Sequence, residues 1–142
     1  MRIKLYHFTS RHHIRGCIKE GLKFGHIPVS IDPPKIIPGY QWLTKNKSFE
    51  QEWEKYSSLK YRRNYYQITI IIPKKYQKNL YKWLFFCKNT TNPEIINASK
   101  GLNIFGDPHK WYIYRGIVSP DWFVKVNINP EYTKSGRGLR IW

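Results

Sequence analysis

Three side chains early in the chain could do chemistry together: His7, Thr9 and Ser10, within the run Leu5-Tyr6-His7-Phe8-Thr9-Ser10. An imidazole exchanges its proton near neutral pH. Two hydroxyls beside it can bond to the hydroxyls of a sugar. His7 is therefore the candidate catalytic group and, with Thr9 and Ser10, a candidate binding group. Trp42 and Thr44 form a second set. The indole is a platform on which a flat ring can stack, and the threonine adds a hydroxyl; as plain sheet residues, both would simply pack. Carboxylates, the usual partners in proton transfer, are few. The chain has 9 Asp and Glu against 25 Lys and Arg. Glu50, Glu52 and Glu54 form an acidic island, which would equally suit the exposed first turns of a helix.

Metal binding is not expected. His12-His13 would send its two rings to different faces of a helix, and the two cysteines, Cys17 and Cys87, form no CxxC pair. Metal-ligand spacing normally announces itself. The phosphate-loop, dinucleotide-fold, nucleophile-elbow and zinc-protease motifs are also absent.

Elements must hold these side chains in place. Leu5–Thr9 is expected as a short strand that hands over to a helix. Ser10 is the expected N-cap, Ile14, Cys17 and Ile18 the buried stripe, and Gly21 the left-handed C-cap. From Lys23 to Gly39, Pro28, Pro33, Pro34 and Pro38 exclude a helix and leave at most short edge strands. So long a stiffened connection is a candidate cover over a substrate. Tyr40–Thr44 alternates as a strand does. Ser48–Gln51 matches a capping box, and Phe49, Trp53 and Tyr56 give the helix behind it an aromatic stripe. Lys60-Tyr61-Arg62-Arg63 is a basic turn. Tyr65–Ile72 is the clearest strand, an isoleucine run ended by Pro73 and expected to be buried on both faces. Lys74–Lys88 is expected as a third helix, with Tyr76, Leu80, Trp83, Leu84 and Cys87 at helical spacing. Asn89–His109 is expected as loop with one short helix near Pro93–Ser99. Trp111–Arg115 and Trp122–Val126 are expected as antiparallel neighbours across a short connection.

The formal net charge is +16. Self-repulsion of that size costs stability, so an anionic partner is the natural expectation, nucleic acid first. Lys60, Arg62, Arg63, Arg115 and Arg137 are the candidate contacts. The competing explanation is a solvated lysine surface left by biased codon usage. No basic amphipathic helix or long apolar run points to a membrane. The opening Met-Arg-Ile-Lys-Leu-Tyr-His has no signal-peptide core, so a cytoplasmic location, in the protein's own cell or in a host cell, is expected, with both cysteines as buried thiols. One domain over 1–128, followed by a basic arm over 129–142, accounts for the length.

His-Phe-Thr-Ser at the end of a first strand, a helix closing on Ile18-Lys19-Glu20-Gly21-Leu22, a loop and then Trp42-Leu43-Thr44 resemble the ADP-ribosyltransferase fold. The similarity is to its His-x-Thr branch, which includes the RNA 2′-phosphotransferases and the DarT-type toxins that modify DNA. The later run from Trp111 through Gly116-Ile117-Val118-Ser119-Pro120 to Val126 is similar to that fold's closing strands. The resemblance implies an α+β domain of two small, mostly antiparallel sheets forming a split core, with about three flanking helices and a cleft for NAD. It implies that His7 bonds the nicotinamide ribose and that Thr9 supports the NAD or phosphate pocket. It also implies a carboxylate, and the sequence departs there: the matching stretch is His109-Lys110-Trp111-Tyr112, with no acid. Glu50, Glu52 and Glu54 are the alternatives. The expected function is then transfer from NAD, or of an ADP-ribose or 2′-phosphate group, to nucleic acid or another anionic acceptor. A non-catalytic factor on the same fold, binding nucleic acid, a nucleotide or a partner protein, is the alternative. A small viral factor, or a toxin matched by an acidic partner protein, belongs to the same range.

Overall fold

The computed structural model describes residues 2–31, 33–51, 63–104 and 106–133. β1 (Lys4–Thr9), β4 (Tyr40–Thr44), β5 (Tyr66–Ile71), β6 (Leu80–Lys82), β7 (Trp111–Arg115) and β8 (Phe123–Ile128) form one antiparallel sheet in the order β6-β7-β4-β1-β5-β8. β2 (His26–Ile31) and β3 (Pro34–Pro38) form a separate antiparallel hairpin. Among the described residues α1 (Ile14–Glu20), α2 (Trp83–Asn89) and α3 (Pro93–Leu102) complete an α+β fold.

The expected pair of small sheets is thus corrected to one six-stranded sheet and a hairpin. The sheet nonetheless has a weak joint. β1 pairs with β5 from Lys4↔Ile71 to Thr9↔Tyr66, and β4 pairs with β7 from Tyr40↔Arg115 to Thr44↔Trp111. Between β1 and β4 the ladder holds only at Tyr6↔Thr44. Beyond that pair the strands diverge and leave a fork.

Two cores fill the two faces. On one, α1 brings Ile14, Cys17 and Ile18 against Leu5, Leu43, Ile68, Ile70, Tyr112 and Tyr114. On the other, the hairpin and α2–α3 bring Ile27, Trp83 and Ile95 against Trp111 and Ile113, with Trp42 at the rim. β5 is buried from Tyr66 to Ile70, as an isoleucine run paired on both edges requires. Its polar pair, Gln67 and Thr69, faces away from the isoleucines, and Gln67 accepts from Asn127 at 3.0 Å.

Two connections each correct an expectation. Lys74–Lys88 is not one helix but a 3₁₀ segment (Lys74–Asn79), then β6, then α2. Tyr76 and Leu80 pack in the first core and Trp83 in the second. A single helix cannot reach both, whereas an extended piece around the edge of β7 does, and it also pairs that edge. β7 and β8 are not neighbours either: β4, β1 and β5 stand between them. Their connection crosses the first core, where Val118 is buried and exchanges two backbone hydrogen bonds with Leu22, each of 3.0 Å. Gly21, at φ +82°, has no room for a side chain beside the Val118 carbonyl.

The prolines of the Lys23–Gly39 connection confine it to two edge strands, as expected. The helix near Pro93 is present and runs on to Leu102, with Asn92 capping Glu94 N–H at 2.9 Å. The cap of α1 differs: His13 holds the N-cap position, and Ser10 receives the first turn through its carbonyl, not its hydroxyl. The Ser48 hydroxyl accepts from Glu50 N–H, and the Gln51 amide donates to the Asn46 and Ser48 carbonyls, so the reciprocal capping box does not form. Trp53 and Tyr56 lie outside the described residues. Asn129–Thr133 is packed on the domain, with Tyr132 stacked on Tyr65 at 4.2 Å between centroids; residues 134–142 lie outside the described residues.

Candidate functional site

The fork between β1 and β4 is where His7 comes to rest. The ring of His7 reaches across to β4 and donates from Nδ1 to the carbonyl of Trp42 at 2.8 Å. A carbonyl can only accept, so the neutral ring is fixed with its proton on Nδ1 and Nε2 as a bare acceptor. Burial holds the imidazole below the usual histidine range; the Trp42 carbonyl pulls the other way, and the cation of Arg63 pushes it down further. His7 is therefore a neutral acceptor suited to a hydroxyl donor.

Gly25 lies beside it. Along a strand, alternate residues turn their carbonyls to the same edge, so Tyr40 and Trp42 both face the fork. A side chain on Gly25 would collide with the Tyr40 carbonyl and with Oε1 of Gln41, which places the Gly25 backbone in the fork, where the chain passes from the first core to the second. Its N–H donates to Oε1 of Gln41 at 2.8 Å. That leaves Nε2 of Gln41 as a buried donor with no acceptor. A stranded buried donor costs about 1–3 kcal/mol, a cost that a ligand oxygen accepting from it would relieve. Composition and spacing gave no signal for Gln41, because its role depends on where Gly25 crosses.

The other expected binding residues are engaged. Thr9 is buried on the α1 side with its hydroxyl toward Sγ of Cys17 at 4.0 Å. The Ser10 hydroxyl, also buried, meets Nδ1 of His13 at 2.8 Å. Trp42 sits on the opposite sheet face from Thr9, donates its indole N–H to the His26 carbonyl at 2.9 Å, and packs against Trp83 and Trp111 at 4.7 and 5.8 Å. The Thr44 hydroxyl accepts from Asn46 N–H at 3.0 Å. His7 and Trp42 are thus brought together through a main-chain carbonyl, while Thr9 and the Trp42 ring are held apart.

Among the described residues, Arg63 supplies the charge that acts on His7. The carboxylates Glu20, Glu94 and Asp107 pair with Lys23, Lys35 and Lys110, and Glu50 is exposed; Glu52 and Glu54 lie outside the described residues. So do Lys60, Arg62 and Arg137 of the expected nucleic-acid contacts. Arg63 is half-buried near His7, and Arg115 is exposed at the end of β7. The cysteines are free and half-buried. Burial pushes both thiols up, Cys87 to about 11, so neither is a ready nucleophile at neutral pH. Among the described residues no three His, Cys, Asp or Glu side chains gather as metal ligands, and no helix is long and apolar enough to cross a membrane.

No family model, curated protein or solved structure matches this chain.

Proposed function

We propose that the chain is an ADP-ribosyltransferase-like protein that takes a ribose-bearing nucleotide, NAD or a related ADP-ribose or 2′-phosphate group, at the fork and uses nucleic acid as its acceptor. One observation carries the reading: His7, held neutral at the split of the sheet by the Trp42 carbonyl, presents an unshared Nε2 acceptor. The stranded Nε2 donor of Gln41 adds a complementary group. An acceptor and a donor suit a sugar, whose hydroxyls do both. When bound, NAD would supply an ADP-ribosyl group and release nicotinamide. His7 would fix the ribose, and Gln41 would donate from its unpartnered Nε2 to a ligand oxygen. Nucleic acid as acceptor is supported by the net charge of +16.

Incubation with labelled NAD and single-stranded DNA or RNA tests this. Label should move to nucleic acid, or nicotinamide should be released, and His7→Ala should lower either by at least roughly tenfold, in the range of a lost charge-free hydrogen bond and its positioning. Gln41→Glu keeps the bond to Gly25 and removes the donor, and should weaken nucleotide binding. If the wild type neither binds nor turns over NAD, and His7→Ala changes nothing, the reading falls.

A second reading, a non-catalytic binder on the same frame, is favoured by the charge around His7: Arg63 acts on it, and no described carboxylate does. Nucleic-acid binding that weakens steeply with salt, without any NAD turnover, would select it.

A further inference from the structure

An open concavity of about 450 Å³ lies at the β6–β7 end of the sheet, on the α1 side; its lining residue Tyr114 pairs with Gln41 across β4–β7, and His7 is not in its lining. Its size falls within the range of small-ligand sites, roughly 300–1,000 Å³. Aromatic rings form the wall. Trp122 stands 4.9 Å from Tyr76 and 5.6 Å from Tyr114, centroid to centroid. Tyr114 is buried beneath, while Tyr76 and Trp122 are half-buried. Arg115 and Asp121 are exposed on the rim, and among the described residues neither is in an ion pair, even with the other. Beside them the 3₁₀ segment carries exposed Lys74, Lys75 and Lys78 without an acid, with Lys75 Nζ 5.0 Å from the centre of the Tyr76 ring.

We propose that this concavity takes an unpaired base of a single-stranded nucleic acid, stacked on Trp122 and Tyr76, with the adjoining phosphate on Arg115. Each part follows from a requirement of the ligand. A base in a duplex has no free face, whereas an unpaired one stacks on aromatic rings regardless of its identity. Phosphate needs a cation that is not already paired, and Arg115 is one. The Asp121 carboxylate can accept from an exocyclic amino group of a base, as acidic side chains do from cytosine. The three lysines then continue the backbone path by charge alone. In taking nucleic acid as the partner this rests on the function proposed above; the site itself is separate from His7.

Fluorescence anisotropy of labelled 12-mer DNA and RNA single strands, and of the matching duplexes, tests it on the full chain. Single strands should bind better than duplexes and quench tryptophan fluorescence, with the quench reduced in Trp122→Phe. Trp122→Ala, with its fold checked by circular dichroism, should weaken binding about tenfold, and Trp122→Phe less. Arg115→Ala, at an exposed position, should also weaken binding and lower the slope of log K against log salt by about 1, more than the exposed control Lys100→Ala on α3 does. A preference for DNA or for RNA would show which strand the site takes. Equal binding by all variants, or a preference for duplex, overturns the proposal. If label moves from NAD to nucleic acid while these variants bind like wild type, the concavity alone is wrong. If strands bind through the concavity without NAD turnover, the transferase reading falls and the concavity stands. No oligonucleotide binding at all overturns both.

Discussion

A histidine that gives its Nδ1 proton to a main-chain carbonyl is fixed in one tautomer, and at His7 this happens where two strands part. The folded-state value lies below the ordinary 6.5, so as pH falls the unfolded chain takes up the proton first. Stability from this group is full above about pH 6.5 and declines toward the folded value, by at most about 1.4 kcal/mol per pH unit for one proton. Urea unfolding between pH 8 and pH 5 should show a steeper loss in the wild type than in His7→Gln; parallel curves would mean that His7 is not held neutral. His7 was legible in the sequence because His, Thr and Ser crowd one strand end. The fate of Thr9, Ser10 and Thr44 was not. A hydroxyl is spoken for or free according to neighbours such as Cys17, His13 and Asn46, and residue type alone does not reveal that choice. Gln41 was invisible for the same reason.

At the scale of elements, β1, β4, β5 and α3 follow from local pattern: alternation, an isoleucine run, or a capped proline start. The failures share a cause. β6 interrupts a helical spacing because the chain has to pass from one core to the other, and β7 and β8 part because their short connection spans a face instead of turning back. Neither demand is local. Gly25 belongs to this class, since a crossing chain must pass close to β4. Gly25→Ala should therefore cost about 1–3 kcal/mol in chemical denaturation, because the Tyr40 carbonyl, which is backbone, blocks the new methyl together with Oε1 of Gln41. Gly16→Ala, in exposed α1 with nothing within 4 Å of the added carbon, should instead stabilise by roughly 0.5–1 kcal/mol. Equal effects at the two positions would show that the crossing is looser than its contacts.

For the molecule as a whole, the joint at Tyr6↔Thr44 divides the sheet into β6-β7-β4 and β1-β5-β8. Each half has long ladders of its own, so native-state hydrogen exchange should resolve two cooperative units with different opening free energies; one shared value across six strands would show that the joint transmits as well as a full ladder. The joint also has a history in each molecule's making. His7 pairs across to Ile68, sixty-one positions later in translation, which is roughly 3–12 s at 5–20 residues per second. For that interval the β1 segment, rich in aromatic residues, waits without its β5 ladder and leaves that edge open to pairing with other nascent chains. Arg2, Lys4, Arg11 and Arg15 bracket it, and like charges on neighbouring nascent chains repel one another. Part of the positive charge thus bears on the strand while the chain is still being synthesised, before the fold exists.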